Sequence, residues 1–112
     1  MESLDDILVS SDVKDVMIEY GEKEYRFKLK NLSWSDKNRM ISRSVIYQGK
    51  SVTVDLDTYY RLALQDMIVE APWPVTQTPV YLKKLNNFGD KLQKFVPSPF
   101  GDEEEEGQIP KN

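Results

Sequence analysis

The 112-residue chain contains no cysteine and no histidine. Without cysteine it has no disulfide framework, no thiolate nucleophile and no cysteine-ligated zinc or iron–sulfur site. Without histidine it lacks the usual side chain for proton transfer near neutral pH, which also excludes the serine–histidine and cysteine–histidine couples. A carboxylate enzyme or an oxygen-ligand metal site would still be chemically possible. We nevertheless expect a binding protein with no catalytic residue, no cofactor and no metal.

The chain also lacks a long apolar run. None of its hydrophobic stretches approaches the roughly 20 residues of a membrane-spanning helix. The first residues include Glu2, Asp5 and Asp6, where a signal peptide carries positive charge. These features predict a cytoplasmic protein without a membrane partner.

Charge is distributed unevenly along the chain. The total is 15 Lys and Arg against 19 Asp and Glu, a net charge of −4. Residues 1–100 balance their charges, so the whole of this excess belongs to residues 101–112, where Asp102 and four glutamates follow one another. This end contains one large aliphatic side chain, Ile109, which is too little apolar surface to offset the entropy of ordering. We therefore predict a disordered acidic tail over residues 101–112.

A β-hairpin is the clearest local signal. Residues 15–20 and 24–30 flank the sequence Gly21-Glu22-Lys23, which predicts a three-residue turn with the glycine at positive φ. In the second segment apolar and cationic side chains alternate, so rings and cations are expected on opposite faces of the strand. Residues 1–12 precede this hairpin as an N-terminal arm that either docks through its leucines and isoleucine or frays.

Three helices are expected after the hairpin. The first covers about residues 36–46, with Ser33 or Ser35 as N-cap and Trp34, Ile41 and Val45 on one face. Residues 51–54 form an extra strand or an extended link. The second helix covers about residues 56–70, with Asp55 or Asp57 as cap and a broad apolar stripe. A third begins at Thr78-Pro79 and extends to about residue 95, where Asn87 and Gly89 favour a kink or a split. The fold class is α+β, with an N-terminal β-hairpin beside about three main helices in a single domain over residues 13–100.

Two groups of side chains are candidates for binding. Aromatic residues interleave with cations in the second strand, and the basic surface would comprise Arg26, Lys28, Lys30, Lys37 and Arg43. Such a pattern occurs in nucleic-acid-binding strands, but a core strand explains it more simply, and the net charge opposes binding to a polyanion. Trp73 lies between two prolines, as a core residue or an exposed anchor. Asp55, Asp57, Asp66 and Glu70 are interpreted as caps and a solvated face rather than a metal site.

The order of these features resembles the tail assembly chaperones of long-tailed bacteriophages and of defective prophages. The resemblance covers residues 13–96 and rests on four segments: Glu24-Tyr25-Arg26-Phe27-Lys28, Leu32-Ser33-Trp34-Ser35-Asp36, the helix ending in residues 67–73, and Phe88-Gly89 with Leu92. It implies a small, mostly helical, non-enzymatic protein of the infected cell. Such a protein binds the tape-measure protein, recruits tail-tube subunits and is absent from the finished virion. The family is also known for a longer, frameshifted form.

A chaperone for an apolar helical client needs exposed apolar surface and self-association to cover that surface when idle. We expect helix-in-groove binding and a possible homo-oligomer. The partner-binding residues are predicted to be Trp73, Phe88, Phe95 and Phe100. A small nucleic-acid-binding regulator using the basic surface, or a generic structural interaction module, are the alternatives.

Overall fold

The structure, a computed structural model, describes residues 4–100, so the predicted acidic tail lies outside the described residues. The architecture is α+β, as the sequence predicts: an N-terminal β-hairpin packs beside helices. The elements follow one another in the order β1 (Val13–Tyr20), β2 (Lys23–Lys30), α1 (Trp34–Ser42), β3 (Val45–Gln48), β4 (Ser51–Val54), α2 (Leu56–Met67), β5 (Ile68–Glu70), α3 (Thr78–Leu82) and α4 (Phe88–Gln93), with 3₁₀ turns at Leu4–Ile7 and Val75–Gln77.

The first hairpin is confirmed, but its connection is shorter than predicted. Tyr20 pairs with Lys23, so the turn has two residues rather than three. Gly21 has a φ of 69°, and no non-glycine residue between 4 and 100 has a positive φ. A glycine at the first central position of a two-residue turn suits the right-handed twist of antiparallel strands. The alternation in β2 then places Phe27 and its apolar neighbours in the core.

A second hairpin replaces the predicted end of the first helix. Helix α1 ends at Ser42, and Val45 and Ile46 belong to strand β3, so the prediction of a helix to residue 46 is wrong. Strand β4 pairs antiparallel with β3, and Gly49 supplies the positive φ of their turn. The backbone N–H of Asp55 donates to the carbonyl of Ser44 across 2.7 Å, which closes the base of the hairpin. β-branched residues such as Val45 fit a strand better than a helix end.

Helix α2 is three residues shorter than predicted, because Ile68–Glu70 forms a third strand of the main sheet. The sheet order is β1-β2-β5, and β5 pairs antiparallel with β2 through Leu29 and Ile68. Ile68 is buried in this strand, just as it would be on the helix stripe. Periodicity alone therefore does not separate the two conformations. At the other end of α2, Asp55 is the N-cap, as predicted.

The third predicted helix is split into α3 and α4. The side chain of Asn86 accepts a hydrogen bond from the backbone N–H of Phe88 across 2.9 Å, which turns the chain between the two helices. Gly89 lies inside α4 rather than at the break. Thr78 is the first residue of α3, whose N-cap is Gln77, so Thr78 is not the cap that the sequence predicts. The predicted split is thus correct: Asn87, one of the two residues named for it, is the N-cap residue of α4, and the side-chain hydrogen bond at the turn is accepted by its neighbour Asn86.

The core lies between the inner face of the main sheet and helix α2, with α3 and α4 closing its side. Its buried apolar residues are Ile18, Phe27, Leu29, Met40, Tyr59, Ala63, Leu64, Met67, Ile68, Leu82, Phe88, Leu92 and Val96. Two polar residues are also buried, Ser44 and Thr78, and both hydroxyls donate to backbone carbonyls. The hydroxyl of Tyr59 donates to the carbonyl of Pro97 across 2.7 Å and ties α2 to the chain after α4.

Candidate functional site

Exposed apolar side chains gather in a groove between the N-terminal arm and the body. The groove, here called the arm groove, has a volume of about 400 Å³. The arm contributes residues 6–10. The body contributes Asn31, Leu32, Trp34, Met67, Phe95 and Pro97. These residues come from both ends and the middle of the chain, so only the tertiary structure brings them together.

The arm follows the body without burying its apolar side chains. The amide nitrogen of Asn31 donates to the carbonyl of Ser10 across 3.4 Å, a long hydrogen bond that holds the arm beside the end of β2. Ile7 remains 77% exposed, and Leu4 and Leu8 are exposed as well. The arm therefore lies along one side of the groove with its apolar side chains exposed to solvent, and docking through these side chains is not observed.

Trp34 and Phe95 project from rigid elements into the same groove. The hydroxyl of Ser33 accepts from the backbone N–H of Asp36 across 3.0 Å and fixes the first turn of α1, where Trp34 stands. Trp34 is 78% exposed, whereas Ile41, which the sequence places on the same face, packs partly buried against the core. Phe95 follows α4 and is 43% exposed. Large aromatic side chains on fixed backbone are the usual anchors of protein interfaces.

The four residues predicted to bind a partner divide into two groups. Phe95 and Phe100 are exposed, as expected for such residues. Phe88 is only 7% exposed, which corrects the expectation that its ring stays available. Trp73 is half-buried, with its ring edge-on to Phe27 at 5.4 Å, so it is mainly a core residue. The apolar spacing of the chain does not show this, because the burial of both rings depends on contact with Phe27 in the distant strand β2.

The basic strand surface is interleaved with acids. Arg26, Lys28 and Lys30 lie on the outer face of β2, opposite the buried Phe27 side of the strand. Asp15 stands opposite Lys28 in the ladder, and the carboxylate of Glu70 lies 3.9 Å from its ammonium nitrogen. Glu19 and Glu24 also face each other across the two strands. This mixture of signs weakens the attraction of the sheet for a polyanion.

The two remaining predicted cations belong to a different element, since Lys37 and Arg43 lie on or just after α1. Arg43 contributes to a shallow depression with Gln65 and Asp66 of α2. Because Asp66 is acidic, this depression also carries both signs. Neither location extends the sheet cations into one basic surface.

The acidic residues at the start of α2 make hydrogen bonds and an ion pair that stabilise the helix. Asp55 accepts from the hydroxyl of Thr58 across 2.8 Å, and this hydrogen bond lowers the pKa of Asp55. Asp57 pairs with Arg61 across 2.9 Å, one turn further along the helix. Among residues 4–100, no group of three or more acidic side chains is placed to hold a metal ion. These contacts agree with the interpretation of the acids as caps and a solvated face.

The titration of Tyr59 is shifted by its burial. Its side chain is fully buried, and loss of solvation for the phenolate raises the pKa of Tyr59 to about 12, with a smaller contribution from Tyr60. The hydroxyl donates its hydrogen bond to the carbonyl of Pro97. We therefore assign Tyr59 to the stability of the fold.

Comparisons of the chain with known proteins found no match. No family model, curated protein or solved structure matches this chain. Within residues 4–100, no helix is both long enough and apolar enough to cross a membrane.

Proposed function

We propose that this protein is a non-catalytic tail assembly chaperone of a phage or prophage, which acts in the host cytoplasm. It binds apolar helical segments of the tape-measure protein in the arm groove, recruits tail-tube subunits, and leaves before the virion is complete. The order of sequence features supports the family, and the exposed arm groove supports the mode of binding. The identity of the client comes from the family resemblance alone.

The observation that carries the proposal is the exposure of Trp34 and Phe95 in one groove. An amphipathic client helix buries anchors at intervals of three and four residues in such a groove. Phe95 exposes 43% of its surface. Taking about 200 Å² for a whole phenylalanine, a client that covers Phe95 removes roughly 90 Å² from water and gains about 2 kcal/mol.

Co-expression with a tape-measure segment tests the proposal. The wild-type chain should keep the segment in the soluble fraction, because the groove covers its apolar face. Phe95→Ser should weaken binding of the purified segment by roughly 20- to 30-fold, the factor that corresponds to about 2 kcal/mol. Trp34→Ser should weaken it at least as much, since Trp34 exposes the larger area.

Val80→Ser is the matched control, because Val80 is exposed on α3 and is not part of the arm groove. Each variant is first shown to have the thermal midpoint of the wild type. The proposal fails if the segment is equally insoluble with and without this chain, or if Phe95→Ser binds as tightly as Val80→Ser. Salt-dependent binding of DNA or RNA at low ionic strength would instead favour the nucleic-acid alternative.

A further inference from the structure

A second cavity opens where the helix break leaves the inner face of the sheet uncovered. Its volume is about 280 Å³. The lining comprises Tyr20, Tyr25, Pro72, Trp73, Leu85, Asn86 and Phe88, and this set is called the aromatic pocket. It shares no residue with the arm groove. The chain between α3 and α4, where the side chain of Asn86 accepts from the backbone N–H of Phe88, forms one side of this opening.

The rings of the pocket are held in place before any ligand binds. Phe88 forms edge-to-face contacts with Tyr20 at 5.5 Å and with Tyr25 at 5.4 Å. The indole N–H of Trp73 donates to the hydroxyl of Thr78 across 2.9 Å. The same indole stacks on the ring of a neighbouring tyrosine in α3 at an interplanar angle of 5°. Such preorganisation reduces the entropic cost of binding.

The polar groups of the pocket are uncharged and include free donors. No Lys, Arg, Asp or Glu lines it. Within residues 4–100, the hydroxyls of Tyr20 and Tyr25 have no hydrogen-bond partner. The oxygen of the Asn86 amide accepts from Phe88, which leaves the amide nitrogen as a donor. The pocket therefore combines flat aromatic walls with donors that need an acceptor.

We propose that the aromatic pocket binds a proline-rich, extended peptide segment. Proline rings pack well on aromatic faces, and a polyproline II segment has no internal hydrogen bonds, so its carbonyls can accept from tyrosine and asparagine. A helical ligand fits less well, because its carbonyls are already paired. A quaternary ammonium group is the competing ligand class for an aromatic pocket, and it would find no carboxylate among the lining residues. This site does not depend on the proposed chaperone function.

Trp73 supplies the signal for a binding experiment. The chain has two tryptophans, and Trp34 lies in the arm groove, so the variant Trp34→Phe leaves Trp73 as the only indole. Titration of this full-length variant with a ten-residue polyproline peptide should give a saturable change in tryptophan emission. A glycine–serine peptide of the same length should give none.

Two further substitutions test the donors. Tyr25→Phe keeps the ring and removes its hydroxyl, and Asn86→Asp keeps the oxygen that accepts from Phe88 and removes the amide donor. Each should weaken polyproline binding about fivefold, the effect of one neutral hydrogen bond, at an unchanged thermal midpoint. Tyr47→Phe is the matched control, because Tyr47 is exposed on β3 and lies outside the pocket; its binding should equal that of the parent.

Several results would overturn the assignment. Absence of a saturable signal with polyproline would do so, as would Tyr25→Phe binding as tightly as Tyr47→Phe. Tighter binding of a leucine-rich helical peptide, or binding of tetramethylammonium without polyproline, would also contradict the proposed ligand class. None of these outcomes bears on tape-measure binding, which is measured with arm-groove variants and a different ligand.

Discussion

Removal of one buried hydroxyl should reveal how firmly the C-terminal part of the fold is attached to α2. Tyr59 is fully buried, and its hydroxyl donates to the carbonyl of Pro97 across 2.7 Å. Tyr59→Phe preserves the ring and deletes this hydrogen bond. The carbonyl then loses its partner, although Pro97 is only half-buried and water can partly replace the hydroxyl. We expect the free energy of unfolding to fall by about 1–2 kcal/mol.

The same substitution should change the response to alkaline pH. Burial raises the pKa of Tyr59 to about 12 from an ordinary value of 10.0. The folded chain therefore retains a proton that the unfolded chain releases between these values. This contribution to stability is complete below pH 10 and is lost as the pH rises towards 12. Tyr59→Phe lacks the titrating hydroxyl, so its free energy of unfolding should decline less steeply between about pH 10 and pH 12.

Urea denaturation at pH 7 and at several values between pH 9 and 11.5 measures both effects. In a separate thermal scan at neutral pH, the midpoint of Tyr59→Phe should fall by roughly 5–15 °C for a domain of this size. The control is Tyr47→Phe, since Tyr47 is 77% exposed and should tolerate loss of its hydroxyl. The reasoning is refuted if Tyr59→Phe is as stable as the wild type at pH 7, or if it loses stability with the same alkaline profile.

Further substitutions probe the caps, turns and tail. Asp55→Ala should lower the thermal midpoint by several degrees, whereas Asp55→Asn should keep most of the cap. The hydrogen bond from Thr58 lowers the pKa of Asp55, so the charged cap should weaken only in acid. Denaturation at a series of pH values should show this loss of stability below about pH 4. Gly21→Ala should destabilise by about 1 kcal/mol because φ is 69°. Gly89→Ala should stabilise the folded protein by about 0.5–1 kcal/mol, because the nearest atom to the new methyl group is in Leu85 at 3.8 Å, an ordinary contact distance. Urea midpoints measure the effects of both glycine substitutions. Deletion of residues 101–112 should bring the net charge from −4 to zero, reduce solubility near neutral pH, and leave the calorimetric midpoint nearly unchanged.

Local signals in the sequence were sufficient where neighbouring residues determine the conformation. The period of two in β2 and Gly21 predicted the first hairpin, because both depend on backbone preference and on one buried face. Asp55 and Ser33 marked helix starts, since a short polar side chain satisfies free N–H groups within its own turn. The apolar stripe of α2 predicted which face of the helix is buried, because the spacing of nearby residues along the chain defines that face.

Strands β3 and β5 could not be predicted from the same kind of signal. Val45 and Ile68 continue the helical spacing that precedes them, and both conformations bury the side chain of Ile68. The choice depends on pairing with another segment: β5 exists because β2 offers it a partner some forty positions away along the chain. Hydrogen bonds between distant strands are a property of the assembled sheet.

From its composition and patterns alone, the sequence determined the α+β class, the first hairpin and the positions of the principal helix caps. Only the tertiary structure decided which aromatic residues are accessible. It buried Phe88, exposed Trp34, and brought Trp34 and Phe95 into one groove with the arm. Side-chain exposure depends on packing among segments far apart in the chain, and no local periodicity contains that information.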